Sequence, residues 1–130
     1  MDQSILRNRR HLIRYSVRDR IFITFRPDFD RVGLLKDVSM GGLSFEYTST
    51  RSLRHLQDVY VDIFSYQKSY TLTGVRCKVI YDNPICDRPS FGNIGSRRCG
   101  VLFRRLSRDQ LLKLKVLINE YTVKSGSRRQ

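Results

Sequence analysis

Val32-Gly33-Leu34-Leu35-Lys36-Asp37-Val38-Ser39-Met40-Gly41-Gly42-Leu43-Ser44-Phe45-Glu46-Tyr47 reads as two short strands around a turn. Val32 to Val38 and Leu43 to Tyr47 carry the residue types that suit a pleated, half-buried surface, and Ser39-Met40-Gly41-Gly42 interrupts them. Paired glycines at the tip allow positive φ and a close approach of backbone to a ligand. Upstream, Arg20-Ile21-Phe22-Ile23-Thr24-Phe25 is strand-like and ends at the turn Pro27-Asp28-Phe29-Asp30. Downstream, Val59 to Phe64 alternates as a fourth strand, Tyr70 to Tyr81 is long enough for a fifth with Gly74 at a bulge or bend, and Cys99 to Phe103 supplies a sixth. Between the last two, Asp82 to Arg98 contains two prolines and two glycines and reads as a long irregular loop.

After the strands, Ser107-Arg108-Asp109-Gln110 has the form of a capping box: Ser107 can accept an orphan amide while Gln110 reaches back. Leu111, Leu114, Leu117, Ile118 and Tyr121 recur at helical spacing, with Lys113 and Lys115 off that stripe and Gly126 shortly past the end. An amphipathic helix packed over one opening of a small barrel is the expected outcome. Six short strands at hairpin spacing argue for an all-β barrel or sandwich.

The chain has 130 residues, 40% of them hydrophobic and fourteen of them Phe or Tyr, which suits one domain with a modest core. A net charge of +13 and a pI near 10.3 restrict the partner to something negative. Residues 1 to 20 hold six Arg against two Asp, and residues 104 to 130 hold eight Lys and Arg against two acids, so both ends are basic. The final Ser125-Gly126-Ser127-Arg128-Arg129-Gln130 reads as a flexible basic tail. Cys77, Cys86 and Cys99 include no CxxC pair, which supports neither a disulfide framework nor a zinc site and favours a reducing compartment. Cys77 and Cys99 sit in apolar patterns as small core residues, while Cys86 falls in a loop. No stretch has the length of a membrane span or the apolar run of a signal peptide, so the expected location is cytoplasmic.

Two separated signals carry the functional reading: Arg10 and Arg14 within Arg9-Arg10-His11-Leu12-Ile13-Arg14-Tyr15-Ser16-Val17, and Asp37-Val38-Ser39-Met40-Gly41-Gly42. With 19 arginines in the chain, the Arg-x-x-x-Arg spacing is expected roughly three times by chance, so its weight comes from standing just before the first strand with the second motif one hairpin later. Forked guanidinium donors suit phosphates and the O6/N7 edge of guanine, and a carboxylate and a hydroxyl can accept from guanine N1 and N2. Asp37 and Ser39, two apart in an extended strand, share a face. Read alone, these six residues favour a turn in which Asp37 caps and Ser39 bonds local backbone, and their place after Arg10 and Arg14 reverses that preference.

Arg-x-x-x-Arg followed by Asp-x-Ser-x-x-Gly resembles the two-part signature of the PilZ domain, a bacterial receptor for cyclic di-GMP, and Cys99-Gly100-Val101-Leu102-Phe103 is similar to that family's closing strand. The resemblance implies a stand-alone, six-stranded antiparallel β-barrel with a C-terminal α-helix: residues 1–18 a basic arm, 19–124 barrel and helix, 125–130 the tail. It further implies a non-enzymatic receptor that binds cyclic di-GMP through Arg9, Arg10, Arg14, Asp37, Ser39, Gly41 and Gly42, with the arm closing over the barrel. The output would be contact with an unidentified effector protein, of a motility, pilus or exopolysaccharide system. Arg18 offers a competing register and could instead pair with Asp19 or Asp37. His11 and His55 have no Asp or Cys at ligand spacing, Ser39 has no His base, and the pair Asp58 and Asp62 has no marked pocket, so neither a metal nor a catalytic role is assigned. The alternatives are a nucleic-acid-binding β-barrel, which the charge and strand aromatics also suit, and a PilZ-like adaptor that binds no nucleotide.

Overall fold

Along the strand Asp58–Ser65, Val59, Val61 and Ile63 are fully buried while Asp58, Tyr60 and Asp62 face outward, and this period of two repeats through the sheet. The computed structural model describes residues 13–18, 20–26, 31–49, 53, 58–65, 69–86 and 94–124. Its elements are β1 (Tyr15–Val17), β2 (Phe22–Arg26), β3 (Val32–Val38), β4 (Gly42–Ser49), β5 (Asp58–Ser65), β6 (Tyr70–Pro84), β7 (Gly95–Arg105), α1 (Arg108–Tyr121) and β8 (Thr122–Lys124). Strands β2-β5-β6-β7-β4-β3 are hydrogen-bonded in that order, all antiparallel, and β2 also pairs with β3, so six strands close into a barrel. Closure removes the exposed edges that an open sheet would present.

Two three-residue strands extend this barrel. β1 pairs with the far end of β3, Tyr15 opposite Val38 and Ser16 opposite Asp37, and β8 pairs with β1. Residues 15–17 are therefore part of the sheet. The helix ends at Tyr121, the last residue of the predicted stripe, because Thr122 turns to an extended conformation and the chain takes up its pairing with β1. The expected loop from Asp82 to Arg98 is shorter than the sequence suggested. Asp82, Asn83 and Pro84 continue β6 opposite Cys99, Arg98 and Arg97. Pro84 falls at the end of β6, beyond the Asp58–Lys78 pair at which the described pairing of β5 with β6 stops, a strand-end position that tolerates proline.

The core gathers Ile21, Ile23, Phe25, Leu35, Phe45, Val59, Val61, Ile63, Leu72, Val75, Cys77 and Cys99 inside the barrel, with Phe25 at 5.3 Å from both Phe45 and Tyr47. Burial pushes the Cys77 thiol up to about 12, consistent with its part as a small apolar filler, and Cys86 is exposed. Leu114, Leu117 and Tyr121 bury one face of α1, with Ile118 packed beside them; truncating either leucine to alanine would cost about 2–5 kcal/mol. The capping box forms as the sequence predicts: the Ser107 amide donates to Gln110 Oε1 at 3.0 Å, and the Gln110 amide to Ser107 Oγ at 3.1 Å. Gln110 Nε2 also donates to the carbonyls of Thr73 and Gly74, and the Tyr70 hydroxyl to the carbonyl of Lys113, fastening the helix to β6. Arg18 donates to the Glu120 carbonyl at 3.1 Å, a cation at the negative end of the helix rather than a partner of Asp37.

Gly74 does mark a bulge. It sits at φ +69 where Thr73 and Gly74 together oppose Asp62, and its amide donates to Asp62 Oδ1 at 2.7 Å. Two further bulges matter more for function. Lys36 is the extra residue where Leu35 and Asp37 face Phe45 and Ser44, and Ile80 is the extra residue where Val79 and Tyr81 face Val101 and Gly100.

Candidate functional site

Each of these bulges reverses which side chains point outward. With unbroken alternation, Asp37 would follow Leu35 into the core; with Lys36 absorbed, Val38 is buried and Asp37 faces out. In β6, Cys77 and Val79 point inward, and absorbing Ile80 turns Tyr81 out and Asp82 in, where Asp82 is buried. The register then sets a row across five strands: Ser16, Asp37, Ser44, Gly100 and Tyr81 stand side by side.

Small residues at the centre of that row leave a cavity of about 450 Å³ on the barrel's outer face, lined by Arg14, Asp37, Ser39, Gly41, Gly42, Leu43, Ser44, Ile80, Tyr81, Gly100, Val101 and Leu102. Five of the seven residues singled out from sequence thus meet at one site. Arg9 and Arg10 lie outside the described residues, as do His11 and His55. Arg14 is exposed at the cavity edge, immediately before β1.

Asp37 is held from two sides. Ser44 Oγ donates to its Oδ1 at 2.9 Å and Arg98 donates to its Oδ2 at 2.9 Å, and Arg98 also reaches Ser44 Oγ at 3.0 Å and Glu46 Oε2 at 3.4 Å. A carboxylate has about four acceptor positions, so each oxygen keeps capacity for an incoming donor. Ser39 makes the local bonds of a turn: the Gly41 amide donates to its Oγ at 3.1 Å, and its own amide donates to the Gly42 carbonyl at 2.8 Å. The glycines serve differently from expectation. Among the described residues positive φ occurs at Ser69 and Gly74, not at the turn. Gly42 is small because a Cβ there would stand 2.2 Å from the Val101 carbonyl oxygen, so the close approach of β4 to β7 already requires a glycine.

Arg98 and Tyr81 are residues that the sequence reading did not single out. In the sequence Arg98 closes a stretch that reads as a loop, where its outward parity with Gly100 and Leu102 is not legible. Tyr81 reads as inward by simple alternation from Val75, Cys77 and Val79. Behind the cavity, buried Asp82 accepts from Arg97 Nε at 2.8 Å, from the Leu53 amide at 2.6 Å and from the Tyr47 hydroxyl. Burial first, and the bond to Asp82 second, hold the Tyr47 hydroxyl well above its ordinary range and keep it a donor.

The other acidic pair is committed elsewhere. Asp58 accepts from Arg104 at 2.7 Å and Arg76 at 3.0 Å, and Asp62 from Arg26 at 3.0 Å, all on the outer face. Among the described residues no group of three His, Cys, Asp or Glu could hold a metal ion, and no helix is long and apolar enough to cross a membrane.

No family model matches the chain, and no curated protein matches it in sequence. Solved structures do. The PilZ domain with c-di-GMP of YcgR from Escherichia coli superposes with a TM-score of 0.64 at 15% identity, over 87% of this chain and 91% of that one. The crystal structure of YcgR in complex with c-di-GMP, also from Escherichia coli, superposes at 0.58 and 16% identity, over 93% of this chain and 47% of that one. The chain folds as a PilZ-like domain: a closed six-stranded antiparallel barrel with one C-terminal helix.

Proposed function

We propose that this chain is a receptor for cyclic di-GMP, holding the dinucleotide in the cavity on the outer face of β3, β4, β7 and β6. The observation that carries the reading is the convergence of Arg14, Asp37, Ser39, Gly41 and Gly42 on one hollow. Its volume lies within the roughly 300–1,000 Å³ usual for small-molecule sites. In this reading Arg14 pairs with phosphate or forks onto guanine, joined by Arg9 and Arg10 from the preceding segment, and Asp37 accepts from the guanine N1 and N2 donors. Arg98 and Ser44 fix the carboxylate, so little reorganisation is needed on binding. The net charge of +13 draws a doubly charged anion toward the site.

The outcome of binding is a changed surface rather than a reaction. Arg14 leads directly into β1, which is paired to β3 beside Asp37, so the segment before Arg14 is the part that a ligand on Arg14 and Asp37 would draw over the barrel, changing the face an effector protein reads. The neighbours whose names mention the dinucleotide support the choice of ligand. Calorimetric titration of cyclic di-GMP into the wild type and Arg14→Ala, with GMP and a short single-stranded oligonucleotide as competitors, tests the reading. The expected result is a dissociation constant of about 1 μM, weakened at least tenfold in Arg14→Ala and indifferent to both competitors. Absence of binding would leave an adaptor, and equal competition by any oligonucleotide a nucleic-acid binder.

A further inference from the structure

The cavity has a second end that the polar motif does not account for. Tyr81 lies against Gly100 so closely that a Cβ on that glycine would stand 2.2 Å from the ring's Cε2 and 2.5 Å from its Cζ. The ring therefore occupies the space a side chain at position 100 would take, while the same tyrosine borders the cavity. Ile80, 39% exposed at the bulge, and Leu102 line the hollow on the same side. An aromatic ring seated on a glycine at one end of a hollow, with a clamped carboxylate at the other, fits a flat base that presents an edge to one and a face to the other.

We infer that Tyr81 is a stacking surface for a base of the bound nucleotide, positioned by the Ile80 bulge and the Gly100 slot. This rests on the cavity being the nucleotide site. The tyrosine acts through its ring, since stacking needs a π-face and not the hydroxyl. Gly100 acts through Tyr81: a methyl group there pushes the ring off its seat.

The test uses the full chain and cyclic di-GMP. Since the sequence contains no tryptophan, Tyr81→Trp places a single indole in the cavity. Its fluorescence should change saturably with ligand, at the dissociation constant that calorimetry gives for the same variant. Tyr81→Phe should bind as the wild type does, and Tyr81→Ala should bind at least about tenfold more weakly. Gly100→Ala should weaken binding similarly, with no further loss when combined with Tyr81→Ala. Unchanged affinity in Tyr81→Ala, or an indole signal that ignores a ligand the calorimeter sees binding, would overturn the inference and leave the receptor reading intact. Failure of the wild type to bind would instead remove that reading and this inference with it.

Discussion

On the outer face of β5 and β6, Asp58 lies between Arg76 and Arg104, and Asp62 between Arg26 and the Gly74 amide, with the Arg26 guanidinium 5.7 Å from the centre of the Tyr60 ring. On the outer face of β3, β4 and β7, Asp37 is likewise held by an arginine, Arg98. The first surface is covered by long side chains, whereas around Asp37 the neighbours across the sheet are Ser44 and Gly100. Charge pairing is common to both. Side-chain volume beside the charge distinguishes them, and it turns one face into a hollow.

The strongest way to break the hollow is from behind. Asp82 is turned inward by the same bulge that turns Tyr81 outward, and Asp82→Ala would strip Arg97, Tyr47 and the Leu53 amide of their shared acceptor at once. We expect a loss of about 3–5 kcal/mol in urea unfolding; a change below about 1 kcal/mol would mean that water replaces the carboxylate. Gly42→Ala comes next. Its methyl would meet the Val101 carbonyl at 2.2 Å, a backbone atom that cannot rotate aside, and chemical denaturation should show about 2 kcal/mol of destabilisation as β4 and β7 separate.

Paired neutralisations separate the two faces. Asp37→Asn should weaken cyclic di-GMP by roughly 10-fold or more, from the loss of a charged acceptor, whereas Asp62→Asn, on the filled face, should leave the titration unchanged. Equal effects would imply that overall charge, not the hollow, governs binding. The smallest effect belongs to Asp58. Hydrogen bonds from Arg76 and then Arg104 hold its carboxyl below the usual range, so its folded-state value lies under its unfolded one. Its contribution to stability is thus present above the unfolded value of about 3.9 and is lost as pH falls through the lowered one. The small Tm difference between wild type and Asp58→Asn should persist from pH 7 to about 5, close in stronger acid, and shrink in high salt.

Most of the barrel was readable because its strands alternate and its helix begins with a capping box. β1 and β8 were not, since three residues carry too little periodicity and their pairing depends on each other. The bulges were legible only where glycine advertised one, at Gly74. Lys36 and Ile80 have ordinary residue types, and their extra place in the register is fixed by partners far away in sequence. That limit passed directly into the site. Arg14, Asp37, Ser39, Gly41 and Gly42 form a recognisable spacing, but Arg98 falls in a stretch that reads as a loop and simple alternation turns Tyr81 inward. Gly42 is visible in the sequence as the motif glycine at a turn, while the atom requiring it, the Val101 carbonyl, lies on a strand nearly sixty positions later.

The most direct measurement is a ¹H–¹⁵N correlation titration of the full chain with cyclic di-GMP, because it reports both outer faces in one experiment. Binding in the hollow should shift the amides of Asp37 through Ser44 and of Gly100 through Leu102, with Asp58 through Asp62 and Gly74 through Arg76 unmoved. Shifts concentrated on the Asp58–Asp62 face, or none at all at millimolar ligand, would contradict it.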